Sequence, residues 1–216
     1  MKKIAIYGAG GFGREIACLI NLINMDSMEP QWDFIGFFDD NPELKGTKNE
    51  YGYVLGGMDE LNSYPSELSI AISIGDPHVL KTVVSRITNS KIDFPNLIAP
   101  STLYLDKEKL KIGKGNIISS RCTLSCNVTI GDFNILNGYI TIGHDVMIES
   151  YNVVMPSVSI SGGTQIGECN FLGVQSVILQ YLIIGNNVKL GANSVLMHKP
   201  KDGYLYIGNP AKKIQL

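Results

Sequence analysis

Every sixth residue from Ile112 to Leu196 is aliphatic without a break: Ile112, Ile118, Leu124, Ile130, Leu136, Ile142, Ile148, Val154, Ile160, Ile166, Leu172, Ile178, Ile184, Leu190 and Leu196. Fifteen successive matches have a chance probability on the order of 10⁻⁸ in a chain of this aliphatic content. Glycine follows the aliphatic residue at positions 113, 131, 143, 167, 173, 185 and 191, so the unit reads aliphatic-Gly-x-x-small-x. A helix requires a period near 3.6 and a flat strand a period of 2; a period of six describes a short strand, a corner and another short strand. Three such sides close a coil of eighteen residues. The expected fold of this half is a triangular parallel β-helix with the aliphatic positions stacked along its axis.

The first 96 residues obey a different pattern. Lys3 to Tyr7 is a short apolar strand, GAGGFG at 8–13 is a glycine turn, and Ile16, Ala17, Leu19, Ile20 and Ile23 fall at helical spacing. Two further strands are expected at 34–41 (FIGFFDDN) and 69–76 (SIAISIGD), with a helix over 77–88. Alternating strands and helices predict a small parallel α/β sheet. The organisation is then an α/β Rossmann-like domain at 1–96 and an all-β domain at 97–216 ending in a C-terminal cap. Residues 97–102 (LIAPST) resemble an imperfect first turn, and the charged stretch 106–111 reads as an insertion before the register locks at Ile112.

Gly8, Gly10 and Gly13 fit GxGxxG after a strand and at the opening of a helix, the context in which backbone amides at a helix N-terminus bind phosphate. Asp39 and Asp40 end the second strand and suit sugar or ribose hydroxyls. NAD is one candidate ligand. Three visible strands make only half of a dinucleotide fold, and a nucleotide-sugar diphosphate needs the same cradle without the second half. A plain structural turn is the alternative.

The formal net charge of −2 argues against a nucleic-acid surface. MKKIAIYGAGG reaches glycine too soon for a signal-peptide core, so the cytoplasm is the expected location. Residues 169–188 carry no charge, but their Asn, Gln and Gly lie in the hexapeptide register, which argues against a membrane span. Cys18, Cys122, Cys126 and Cys169 form no CxxC pair and no metal spacing with histidine, and read as reduced, structural thiols.

Of three histidines, only His144 lies within the coils. It occupies a corner, where its side chain is expected to point outward. Asp145 follows at once and suits the orienting carboxylate that holds an imidazole tautomer. Asp132 or Glu149 takes that role if the corner geometry is absent. Eighteen residues on, Gly162 is expected beside His144 on the next coil, about 4.8 Å away at strand spacing. A base beside a bare backbone amide suits acyl transfer; two glycines turning a tight corner is the bland alternative.

GHDV at 143–146, MPSVSISGG at 155–163, LGVQSVI at 172–178 and GNPAK at 208–212 resemble the left-handed β-helix acetyltransferases. YGAGGFGRE and FFDDN in the first half narrow the resemblance to sugar acetyltransferases of the NeuD/PglD type. It implies left-handed coils, acetyl-CoA as donor, no metal, and a homotrimer with active sites between neighbouring β-helices. It matches His144 to the family's base, Asp145 to its acidic neighbour and Gly162 to the amide that binds the acetyl carbonyl. By position, Val153, Val174 and Ala192 match acetyl-CoA contacts, while Gly11, Phe12, Gly13, Asp39, Asp40 and Gly75 match nucleotide-sugar contacts. Val153 stands where the bacillosamine-type enzymes carry a second histidine. Lys199, Lys201, Lys212 and Lys213 fit either a coenzyme-phosphate contact or a solvated lysine face.

The function expected is acetyl transfer to an amino-sugar or sugar hydroxyl, with a UDP-linked amino-sugar of surface-glycan biosynthesis as acceptor; O-acetylation of the sialic-acid type is the near alternative. A γ-type carbonic anhydrase is excluded because it needs three histidines around zinc. A non-catalytic nucleotide-sugar-binding protein and an NAD-dependent sugar oxidoreductase are the alternatives from other classes.

Overall fold

The structure, a computed structural model, describes residues 1–214. Strand β1 (Lys2–Tyr7) leads through the glycine turn into helix α1 (Gly11–Asp26), whose buried stripe is Ile16, Ala17, Leu19, Ile20 and Ile23. Then come β2 (Trp32–Phe38), β3 (Val54–Gly56), α2 (Met58–Asn62), β4 (Leu68–Ile72), α3 (Pro77–Arg86) and β5 (Ile92–Asp93). The strands form one parallel sheet in the order β3-β2-β1-β4-β5. Every residue of β4 is buried, the continuous apolar run expected of a central parallel strand. Asp76 caps α3 by accepting hydrogen bonds from the His78 and Val79 amides.

The sheet has two strands more than the sequence pattern revealed. β3 and β5 are three and two residues long, too short to display a period.

From Leu97 onward the chain winds through two-residue parallel strands in three sheets, a left-handed β-helix. One face carries Ile117–Ile118, Ile135–Leu136, Val153–Val154 and Phe171–Leu172. The second carries Thr141–Ile142 and Ser159–Ile160, and the third Met147–Ile148 and Gln165–Ile166. Pairs such as Ile142↔Ile160 and Ile148↔Ile166 give the eighteen-residue register. In the first coil Leu97 pairs with Ile117 and Leu103 with Thr123, a separation of twenty, whereas Lys111 pairs with Thr129. The charged stretch thus inserts two residues. The aliphatic column from Ile118 to Leu196 is buried throughout, each side chain contributing about 1.5–3 kcal/mol. A hairpin of Leu205–Gly208 and Ala211–Ile214 pairs with Lys189–Leu190 and closes the far end.

The recurring glycines are required by space. A Cβ on Gly143 would lie 2.5 Å from the Gly162 amide nitrogen on the next coil. Left-handed backbone falls two residues further on and is carried by ordinary side chains, among them Asn127 (φ 56), Asp145 (φ 58) and Tyr181 (φ 61).

One corner holds a buried ladder of amides. Asn134, Asn152 and Asn170 each donate both backbone N–H and Nδ2 to Oδ1 of the asparagine one coil earlier, starting from Asn116. Asn96 receives the Asn116 amides at one end, and Asn170 Oδ1 accepts from the Val188 amide at the other.

The first face is covered by the α/β unit. Its outward residues Leu97, Ile117, Ile135 and Val153 share one buried cluster with Ile4, Ile16, Ile20 and Leu80. Lys81 of α3 bonds Glu168 of the coils at 2.7 Å and stands 5.2 Å from the centre of the Tyr151 ring.

Among the described residues no helix is long and apolar enough to cross a membrane. The uncharged stretch 169–188 supplies the coil strands Phe171–Leu172, Val177–Ile178 and Ile183–Ile184. All four cysteines are free; Cys122 and Cys169 are buried, Cys126 is half-buried and Cys18 is exposed on α1.

Candidate active site

His144 sits in the corner that joins Thr141–Ile142 to Met147–Ile148, with half of its side chain exposed. The left-handed backbone of Asp145 turns the next side chain to the same side, which a straight strand would forbid. The two therefore meet: His144 Nδ1 lies 2.8 Å from Asp145 Oδ2. A carboxylate only accepts, so in the neutral imidazole the proton sits on Nδ1 and Nε2 presents a lone pair. The His144 bond, followed by one from Asn127 Nδ2 to Oδ1 at 2.9 Å, holds the Asp145 carboxyl below its ordinary range. Asp132 is occupied elsewhere, accepting from the Lys114 amide.

Gly162 lies directly against the imidazole. A Cβ there would stand 2.5 Å from His144 Nε2 and 2.6 Å from Cε1. Gly163 is similarly overlaid by the exposed ring of Tyr181 from the following coil, whose Cδ1 would meet a Cβ at 2.3 Å. The double glycine is thus the floor on which a histidine from below and a tyrosine from above both rest. Among the described residues the Gly162 N–H donates to no partner, while its neighbour Gly163 bonds the His144 carbonyl. A bare amide beside an unprotonated Nε2 can meet a carbonyl oxygen while the imidazole accepts a proton from a nucleophile.

Val174 and Ala192 are exposed in the corner between the first and second faces, one corner away from His144. Val153 is not on the surface: it is fully buried among side chains of the α/β unit. An outward position on the covered face makes it core, where it cannot reach a ligand.

The remaining candidates gather at the carboxyl ends of β1, β2 and β4. The loops after β1 and β4 flank the point where strand order reverses, the usual crevice for a ligand in such sheets. Gly11 and Phe12 open α1, and Gly11 is exposed with only Arg14 Nη2 near a built Cβ, at 3.9 Å. Gly13 is a packing position, since a Cβ would meet the Gly8 carbonyl oxygen at 2.0 Å. Gly75 is exposed and open. Asp39 accepts from the Ala9 and Asn41 amides at 2.8 and 2.9 Å, bracing the glycine turn. Asp40 accepts from the Tyr7 hydroxyl and pairs with Arg86 Nη1 at 2.7 Å. Burial works against the Asp40 charge, but the Arg86 and Tyr7 bonds outweigh it and hold the carboxyl below its ordinary range. Burial, then the Asp40 bond, push the Tyr7 hydroxyl far above the usual range. Tyr7, Arg86, Asn127 and Tyr181 were not singled out in the sequence; for the last two the signal was there, since 127, 145, 163 and 181 are spaced by eighteen.

Residues 3–87 match the family model described as the PglD N-terminal domain. The chain is 30% identical over 118 residues to UDP-N-acetylbacillosamine N-acetyltransferase of Bacillus subtilis (strain 168), an alignment covering 55% of this chain and about half (51%) of that curated relative. The acetyltransferase domain of PglB from Neisseria gonorrhoeae FA1090, solved in complex with acetyl coenzyme A, superposes with a TM-score of 0.86 at 26% identity, covering 99% of each chain. WeeI from Acinetobacter baumannii AYE gives a TM-score of 0.86 at 27% identity over 99% of this chain and 100% of that one.

Proposed function

We propose that this chain, whose residues 3–87 match the PglD N-terminal domain, is an acetyl-CoA-dependent acetyltransferase that acts on the amine of a nucleotide-linked amino-sugar. The observation that carries the reading is the His144–Asp145 pair, at 2.8 Å, whose Nε2 stands against Gly162, a residue whose N–H has no partner among the described residues. The names of the B. subtilis and N. gonorrhoeae proteins support acetyl transfer, and the former supports nitrogen as the acceptor.

The thioester of acetyl-CoA supplies the acetyl group and a thiolate that departs. His144 Nε2 takes the proton from the acceptor amine and returns it to the departing sulfur. Asp145 keeps its hold on Nδ1 and so keeps the ring oriented while the proton is held. The Gly162 N–H donates to the acetyl carbonyl oxygen. Removing such a donor from comparable sites costs about 10² to 10³ in rate.

We assign residues 1–96 to the nucleotide-sugar and 97–216 to the acetyl transfer. The sugar diphosphate lies at the α1 N-terminus near Gly11, Phe12 and Gly75, with Asp39 and Asp40 beside it. Five strands leave room for a dinucleotide, so the PglD-type match, rather than the sheet's size, is what supports a nucleotide-sugar. His144 and the proposed donor contacts Val174 and Ala192 occupy different corners, an arrangement that a donor lying between two neighbouring chains would satisfy. That supports a trimer with active sites between its prisms.

The test is thiol release from acetyl-CoA with a panel of UDP- and GDP-linked amino-sugars and their hydroxyl counterparts, followed by mass spectrometry of the acceptor. Acetylation of an amino-sugar alone is expected. No release with any acceptor, despite binding of both ligands, would refute the reading, and reduction of NAD would replace it.

A further inference from the structure

We propose that Asn127 is a positioning residue of the acetyl-transfer site, holding the Asp145 carboxylate against His144 from the coil below. The proposal rests on the function assigned above to His144, but the contact it concerns is independent of any substrate.

The strand pairs Thr123↔Thr141 and Thr129↔Met147 flank this corner and place Asn127 directly one coil before Asp145. Both residues have left-handed backbone, φ 56 and φ 58, so their side chains leave the corner in the same direction. The Asp145 carboxylate is held at two points: Oδ2 by His144 Nδ1 at 2.8 Å, and Oδ1 by Asn127 Nδ2 at 2.9 Å. A carboxylate only accepts, which requires the amide to present its NH₂ group and not its oxygen.

The second hold matters because both His144 and Asp145 are more than half exposed, at 52% and 56%. A surface pair joined by one contact competes poorly with water and with side-chain rotation. Fixing the other oxygen removes the carboxylate's freedom, and with it the freedom of the imidazole to exchange its two tautomers. Asparagine suits the position on two grounds: it tolerates left-handed backbone better than most residues, and it supplies donors. Directly above Asp145 the column continues with Gly163, which has no side chain to take over.

The test uses the full-length protein and two variants. Asn127→Gly removes the amide while keeping a residue suited to positive φ, and Asn127→Asp keeps the shape but turns the donor into an acceptor. Long-range ¹H–¹⁵N spectra of the imidazoles, with only three histidines to assign, read the His144 tautomer. The parent protein is expected to show chiefly the Nδ1–H form, and both variants a mixture. In steady-state assays each variant should lower kcat about tenfold, the scale of a hydrogen bond to a charged group, and leave KM for acetyl-CoA within about twofold. On an Asp145→Ala background, Asn127→Gly should add nothing, since it acts through the carboxylate. Unchanged tautomer populations in both variants would overturn the proposal, as would an equal loss on the Asp145→Ala background. Should the parent protein transfer no acetyl group, the assigned function fails while the tautomer spectra still decide whether Asn127 holds the pair.

Discussion

Gly162→Ala puts one carbon into the space on which the catalytic assignment depends. The built Cβ lies 2.5 Å from His144 Nε2, 2.6 Å from Cε1 and 2.8 Å from Cδ2, against an ordinary contact of 3.4 Å or more. The nearest atom must retreat by about 0.9 Å, which lifts the Nε2 end of the ring off its floor and out of its present alignment with the Gly162 backbone. The atoms displaced are the far end of a half-exposed side chain, so the coil itself has no reason to yield. Losing an aligned base costs about 10² to 10⁴ in rate, and a fall in kcat of about 10² is expected with the melting temperature nearly unchanged. Thiol release and calorimetric melting measure the two. In a His144→Ala background the added methyl meets no ring, so Gly162→Ala should cost no more than about threefold there. A single variant with near-parental kcat would refute the assignment of this floor to the site. A further hundredfold loss in the double variant would refute displacement of the ring as the mechanism.

Other perturbations separate the parts of the molecule. His144→Ala should lower kcat by about 10² to 10⁴ with melting unaffected, because the side chain lies outside the core; a folded variant of parental rate would exclude it as the base. Gly11→Asp should abolish UDP-sugar binding by placing a charge at the α1 N-terminus, yet spare acetyl-CoA binding and folding, since only Arg14 is near; calorimetric titration with each ligand checks this, and selective loss of acetyl-CoA affinity would reverse the domain assignment. Ile142→Asp buries an unpaired charge in the aliphatic column and should yield no soluble folded protein, as judged by size exclusion and circular dichroism. The Asp40 carboxyl is held below its ordinary range when folded, so its contribution to stability is complete above the unfolded value near 3.8 and is lost as pH falls through the lower folded value. Asp40→Asn should accordingly flatten the acid limb of the melting curve, and an unaltered limb would show that the Arg86 pair contributes nothing.

How much of this was legible depended on whether the signal repeated. Ile118 to Leu196 were readable as a column because one wrong residue there costs burial, and the constraint recurs every sixth position. The pairing of His144 with Asp145 was readable because the two are adjacent, but its second hold, Asn127, carries no local mark and emerges only when the eighteen-residue register is applied backwards. Val153 was misplaced for a related reason. The outward positions of the other faces read Thr141, Met147, Ser159 and Gln165, whereas the first face reads Ile117, Ile135, Val153 and Phe171, an apolar stripe that marks a covered surface. β3 and β5 left no trace because short strands gain their stability from neighbours distant in sequence.

The asparagine ladder gives the prism a polarity that its hydrophobic column lacks. An aliphatic stack looks the same from either end and sets no limit on its own length. The amides, by contrast, are all oriented one way, each handing its NH₂ to the carbonyl before it, so successive rungs polarise one another in a common sense. The row has a beginning, where Asn96 Nδ2 donates to the Gly113 carbonyl, and an end, where the Val188 amide takes the last free oxygen. It behaves as a tally with two terminators. Duplicating residues 117–134 would add a rung and keep both stops, whereas replacing Asn134 by leucine would cut the row into two shorter ones with unmatched ends. Growth and shrinkage of the coil along this edge are thereby confined to whole turns, which would keep the His144 corner at the same place in the register.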